Sequence, residues 1–191
     1  MRKAVFFMLT SLDGYFEGPE HEIDWHHTDG EFQEFAIEQV SEAGMLLFGR
    51  VTYEMMASYW PTQQAIETDP IVASLMNSLP KLVFSRSLAK ADWHNTRLVK
   101  TGFVEEVSRL KEQPGKDLCI LGSSDLAVTF LQAGLLDVVR ILINPVVLGA
   151  GKPLFQGIKE RLTLKLLRTR LFTNGNILLV YQPLIRGKVK G

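Results

Sequence analysis

Apolar positions along this chain follow two rhythms. Runs of four to eight mostly apolar residues, at 3–9, 45–48, 81–84, 117–121 and 138–145, read as strands covered on both faces. Between them apolar residues recur every three or four positions, as in Phe32, Phe35, Ala36 and Val40, then Val104, Val107 and Leu110, then Leu126, Ala127, Phe130 and Leu131. That spacing predicts helices, with Gly44, Pro114-Gly115 and Gly134 as their stops. A shorter helix is expected after Gly49, with Thr52 as its cap and Trp60-Pro61 as its end, and another over residues 68–79. Residues 96–100 read as an edge strand. Residues 162–173 and 176–183 alternate around Asn174-Gly175, a strong hairpin signal. The pattern predicts a three-layer α/β/α fold: a mixed, mostly parallel twisted sheet of about eight strands with a C-terminal antiparallel hairpin.

Composition narrows the class. With 191 residues, 46% hydrophobic and 22% charged, the chain fits one domain over residues 1–185, and residues 186–191 read as a frayed tail. Twenty-one basic and twenty-one acidic residues cancel, so no broad field draws the chain to nucleic acid or to an anionic membrane. The single cysteine, Cys119, lies in an apolar run and excludes an intramolecular disulfide framework. The basic start is followed by too short an apolar run for a signal segment, and no run approaches the roughly 20 residues of a membrane span. A cytoplasmic chain is expected.

Three predicted strands end in short polar turns: Gly49-Arg50-Val51-Thr52, Ser85-Arg86-Ser87 and Gly122-Ser123-Ser124. In an open α/β sheet ligands bind beyond the carboxyl ends of the strands. If these strands are neighbours, the turns surround one extended phosphate-bearing ligand. Arg50 and Arg86 offer planar, permanently charged forks for phosphate, and the hydroxyls complete the bonding. Gly122 permits a sharp turn, Ser123 or Ser124 can cap the next helix, and the helix N-terminus there favours an anion.

These turns, together with Ser11-Leu12-Asp13-Gly14, Phe48-Gly49-Arg50-Val51-Thr52-Tyr53-Glu54, Val83-Phe84-Ser85-Arg86-Ser87, Gly134-Leu135-Leu136-Asp137 and the stretch from Pro145 to Phe155, carry a resemblance. The chain resembles the dihydrofolate reductase-like superfamily, in particular the group related to the reductase domain of bacterial riboflavin biosynthesis proteins. The resemblance implies NADPH as cofactor and hydride transfer to a C=N or C=O bond of a small pyrimidine- or pterin-like molecule. Carried onto this sequence, it places Gly49, Arg50, Thr52, Ser85, Arg86 and Ser87 around the adenosine ribose and its phosphates. Gly122, Ser123 and Ser124 would hold the pyrophosphate, and residues 11–18 would cover the nicotinamide. Folate itself fits less well, because no acidic residue matches its pterin-binding position cleanly. One cysteine also cannot supply the zinc signature of the deaminase fused to this domain in some relatives.

Reduction leaves negative charge on nitrogen or oxygen, so a proton source is needed. Asp13, at the end of the first strand, and Asp29, in the first turn of the next helix, are the catalytic candidates. Burial under its loop would raise the Asp13 pKa toward a donor's, whereas Asp29 suits binding a substrate N–H or orienting a water. Trp25 and Glu31 are candidates for lining the substrate. His21, His26 and His27 lack the spacing of a zinc motif, so no metal is expected, and they read as surface residues. No Gly-x-Ser-x-Gly elbow supports a hydrolase. Because a fold can outlive its chemistry, a non-catalytic nucleotide-binding protein is the alternative. A homodimer is expected from the length of the apolar stretch 138–148 and from the family resemblance.

Overall fold

A computed structural model describes residues 1–184, so the tail expected at 186–191 lies outside the described residues. The buried runs become β1 (Ala4–Thr10), β3 (Ala43–Gly49), β4 (Lys81–Phe84), β6 (Asp117–Leu121) and β7 (Val138–Ile143), with β5 (Thr96–Val99) at one edge. These six lie parallel, and β9 (Thr163–Leu171) and β10 (Ile177–Leu184) close the sheet as an antiparallel pair beside β7. The order is β5-β4-β3-β6-β1-β7-β10-β9. A small second sheet, absent from the sequence reading, pairs β2 (Tyr15–Glu17) with β8 (Lys152–Pro153).

Alternation along each strand sorts the core into two layers. On β1, Ala4, Phe6 and Met8 face α5 (Phe103–Glu112) and α6 (Ser124–Gln132), where Val107, Leu110, Phe130 and Leu131 meet them. Val5 and Phe7 face the other side. There α1 (Gly30–Glu42), α2 (Arg50–Tyr59) and α4 (Pro70–Ser78) contribute Phe35, Val40, Tyr53, Val72 and Met76. Leu46, Leu47, Phe48, Leu118 and Ile120 are at most marginally exposed, which explains why β3 and β6 read as continuous apolar runs. The helix expected over 68–79 starts later, at Pro70, and is preceded by α3 (Gln63–Thr68), capped by Thr62. Proline at the first position of α4 suits a helix start and bars continuation from α3.

Carboxyl edge of the sheet: candidate active site

Because β1 and β3 to β7 run parallel, the turns after them emerge along one edge. The chain leaves β1 toward β3 through α1 on one face, and leaves β6 toward β7 through α6 on the other. The two helices therefore diverge above β6 and β1, the place where open sheets of this kind take ligands.

Gly122 and Ser123 adopt consecutive left-handed conformations, φ 68° and 59°. Ser123 stands at the N-cap of α6, but its hydroxyl does not cap that helix; it accepts from the Gly49 amide at 2.9 Å. The expectation of a serine cap is corrected in that respect, since Ser123 binds a neighbouring turn and Ser124 is already buried in the first helical turn. The first amides of α6 are thus without a side-chain cap. A Cβ at Gly122 would sit 3.1 Å from the Thr52 methyl. Thr52 in turn is not the cap expected of it: α2 starts at Arg50 with Gly49 as N-cap, so Thr52 lies inside the helix and faces Gly122. Gly49, Thr52, Gly122 and Ser123 are brought into direct contact.

The third turn is arranged differently. The Ser85 hydroxyl accepts from the Ser87 and Leu88 amides at 3.2 and 3.0 Å and so closes its own turn. Arg86 lines a hollow of about 280 Å³ with Thr101, Gly102, Phe103, Val104, Glu105 and Thr129. Arg50 is not among its lining residues; its guanidinium pairs with Glu54 at 2.8 Å, one turn along α2. The two arginines share the edge but do not converge on this hollow. Thr101 and Gly102, between β5 and α5, and Phe103, which opens α5, were missed in the sequence, although they repeat the same strand-then-polar-turn signal. A larger hollow, about 560 Å³, opens at the opposite edge among Ser41, Glu42, Lys116, Asp117 and Arg140. Its charges are committed to structural bonds: Arg140 to Gln39 and Glu42, Lys116 to the Ser41 carbonyl, Asp117 to the Lys3 amide.

At the far end of the edge, the loop after β1 rests on the loop after β7. The Leu12 amide donates to the Val146 carbonyl at 2.7 Å, and the Asp13 carboxylate accepts from the Leu148 and Gly149 amides at 3.2 and 2.8 Å. Asp13 is exposed, and the Ser11 hydroxyl, with those amides, holds its carboxyl below the usual carboxylate range. The expected rise in its pKa is therefore reversed, because the loop offers it donors rather than apolar cover. Asp29 is the N-cap of α1 and accepts from the Phe32 amide at 3.1 Å. Glu31 accepts from the Thr173 amide and hydroxyl, both at 2.8 Å, and pairs with Arg170 at 3.4 Å; those contacts, the Thr173 amide first, lower its pKa. Asp13 and Glu31 thus answer to different segments, and Glu31 braces the β9–β10 turn.

The segment before α1 is fastened by two asparagines of 0% exposure that the sequence reading did not single out. Asn144 accepts from the His27 amide at 2.9 Å, and Asn176 donates to the His27 carbonyl at 2.8 Å. Trp25, half-buried, donates to the Glu22 carbonyl and meets the His26 ring edge-on with centroids 4.4 Å apart. His26 Nε2 and Asn176 Oδ1 are buried without a partner, and burial lowers the His26 pKa to about 4. Among the described residues no three His, Cys, Asp or Glu gather into a metal-holding group.

A dinucleotide fits this edge on its own terms: uncapped helix amides behind a turn without a Cβ, hydroxyls at Thr52 and Ser123, and arginines at two neighbouring turns. Similarity to known proteins agrees with the geometry. The chain is 35% identical over 182 residues to the uncharacterized protein YyaP of Bacillus subtilis, spanning 94% of each. Its fold matches the deaminase and 5-amino-6-(5-phosphoribosylamino)uracil reductase of Thermotoga maritima with a TM-score of 0.68 at 15% identity, over 96% of this chain and 57% of that one. It also matches the dihydrofolate reductase of Enterococcus faecalis, solved with NADP(H), with a TM-score of 0.64 at 14% identity over 96% and 97%. The family model for the RibD C-terminal domain matches residues 2–178, and with the turns at Gly49, Ser85 and Gly122 on one edge of a dihydrofolate reductase-like sheet, this chain belongs to that family.

Proposed function

We propose that the chain is an NADPH-dependent oxidoreductase that passes hydride to a C=N or C=O bond of a small pyrimidine- or pterin-like heterocycle in the cytoplasm. The observation that supports this most is the Gly122-Ser123 turn, packed against Gly49 and Thr52 at the uncapped start of α6. Backbone amides at Ser123 and Ser124 bind the pyrophosphate, drawn by the helix N-terminus, while Gly122, whose own amide donates to the Phe7 carbonyl at 3.1 Å, lets the ligand come close by lacking a side chain. Gly49, Arg50 and Thr52, with Ser85, Arg86 and Ser87, hold the adenosine ribose and its phosphates. Arg50 must leave Glu54 to do so, which costs little because that pair is about half exposed. Bound NADPH supplies the hydride.

The chain's own groups manage the proton. Held as an anion by the Ser11 hydroxyl and two amides, Asp13 orients a water or a substrate N–H in place of donating a proton itself. Asp29 offers a second carboxylate at the start of α1, and Trp25 forms part of the substrate wall.

Titration with NADPH and NADH tests the reading, followed by oxidation assays with pterins, pyrimidines and small carbonyls. Arg86→Ala is expected to weaken NADPH by about 10- to 100-fold and NADH much less, as for one charge-assisted bond to a 2′-phosphate. Equal losses would assign Arg86 to another part of the ligand. Absence of binding by either cofactor would overturn the proposal. Tight binding without turnover across the panel would favour a non-catalytic nucleotide-binding protein.

A further inference from the structure

The chemistry proposed for the carboxyl edge leaves Lys152 without a task. This residue follows the turn Gly149-Ala150-Gly151 and, as half of β8, pairs with Glu17 of β2. Its ammonium lies 5.3 Å from the centroid of the Phe16 ring and 3.9 Å from one oxygen each of Glu17 and Asp125. Both separations exceed hydrogen-bond reach. Three lysines among the described residues are at least partly covered, namely Lys81, Lys111 and Lys152. Lys81 and Lys111 donate to backbone carbonyls at 3.1 Å or less, whereas no hydrogen bond holds the Lys152 ammonium among the described residues.

The two carboxylates beside Lys152 belong to different parts of the edge. Asp125 stands in the first turn of α6, one residue after Ser124, and its side chain is 83% exposed. A carboxylate there suits the dipole of an empty helix end but opposes a diphosphate bound to the same amides. Glu17 ends β2, the strand that follows the Asp13 loop. That strand packs Phe16 into the core layer of α5 and α6, and the Leu154 amide donates to the Gly14 carbonyl at 3.1 Å. Lys152 therefore stands between the uncapped start of α6 and the segment that carries Asp13.

We propose that Lys152 is the cationic contact of the cofactor's diphosphate and fastens the Asp13 loop to it. The ammonium turns from Asp125 to the phosphate oxygens, where charge-assisted bonds are shorter than either present pair. Asp125 stays in water, and Glu17 keeps its contact with His21 Nδ1 at 3.0 Å, so neither carboxylate is stranded by the exchange. Because β8 is paired with β2, a diphosphate that holds Lys152 draws both strands onto the start of α6. An ammonium is a compact point charge, so it serves NADPH and NADH alike and leaves discrimination of the 2′-phosphate to Arg86. This role rests on the dinucleotide site proposed for the same edge.

Lys152→Gln keeps the stem and removes the charge. In titrations of the full chain it is expected to weaken NADPH, NADH and ADP alike, by about 10-fold, and to leave 2′-AMP, which has no diphosphate, unaffected. Lys152→Arg is expected to restore most of that affinity. Asp125→Asn, which removes the opposing carboxylate from an exposed position, is expected to tighten both dinucleotides, and it carries the test alone should Lys152→Gln fold poorly. Exchange of the Leu154 amide is expected to slow when NADPH binds the wild type and to stay as it was in Lys152→Gln. Dinucleotide affinities left unchanged by both Lys152→Gln and Asp125→Asn overturn the role of Lys152 and leave the cofactor reading standing. Equal losses for ADP and 2′-AMP overturn it as well, by making Lys152 a brace of the fold. A wild-type chain that binds neither dinucleotide nor ADP overturns both.

Discussion

Asp13 and His26 lie in the segments that flank the first strand's end, and their surroundings treat charge in opposite ways. The Ser11 hydroxyl and the amides of Leu148 and Gly149 favour the Asp13 anion, so its titration falls below the ordinary carboxylate value of 3.8. An acid limb in the activity profile near neutral pH would consequently belong to another group. Asp13→Asn keeps the shape but loses the charge; NADPH affinity is expected to stay within a few-fold while turnover on a verified substrate drops by about 10²-fold. Unchanged turnover would remove Asp13 from the mechanism. His26 is held neutral by burial, with a pKa lowered to about 4 against an ordinary 6.5. Between those values the unfolded chain binds a proton that the folded chain does not, so stability falls as pH drops from 6.5 toward 4. Thermal melts through that window, compared with His26→Phe, should show the loss in the wild type and a flatter dependence in the variant; parallel curves would discard this account. Neither environment could be read in full from sequence: Ser11 is a neighbour of Asp13, but the two amides that join it lie 135 and 136 positions away, and the cover over His26 comes from tertiary packing.

At the scale of elements, the long apolar runs were legible because strands covered on both faces need no polar alternation, and β1, β3, β4, β6 and β7 all fall where the runs are. Asn174-Gly175 marked the terminal hairpin for an equally local reason, a turn that needs its own residues. The β2–β8 pair was not legible, being three and two residues long with partners far apart in sequence. It depends on Gly151, at φ 149°, where an added Cβ would sit 2.3 Å from the Glu17 carbonyl oxygen. Gly151→Ala is therefore expected to cost about 1–3 kcal/mol, as overpacking against backbone does. Chemical denaturation measures the cost, and faster amide exchange at Glu17 and Lys152 should accompany it. A variant as stable and as protected as the wild type would mean that this pairing contributes nothing. The short helix α3 was not expected, and the next helix was expected to begin at Thr68, two residues before Pro70 starts it, although Pro70 itself was visible.

For the whole molecule, a ligand held only by the folded edge must stabilise the fold. NADPH at 100 times its Kd is expected to add about 2.7 kcal/mol, which for a chain of this size raises Tm by roughly 5–10 °C, with NADH at equal concentration adding less. No shift with either cofactor would count against the dinucleotide reading. No helix of the described residues is long and apolar enough to cross a membrane. What the sequence by itself determined was the local grammar: which runs are strands, where helices stop, and that three polar turns follow three strands. Those features depend on neighbours within a few positions, through periodicity, backbone freedom and chain reversal. Tertiary structure alone decided which turns meet. It set Ser123 on the Gly49 amide, Thr52 against Gly122, Arg50 on Glu54 instead of beside Arg86, and Glu31 on Thr173 rather than free for substrate. It also changed the phase of β9 so that the cations face α1 and the leucines face outward. Strand order, crossover and a single bulge are long-range choices, and a residue's partners across the sheet leave no mark in the residues beside it.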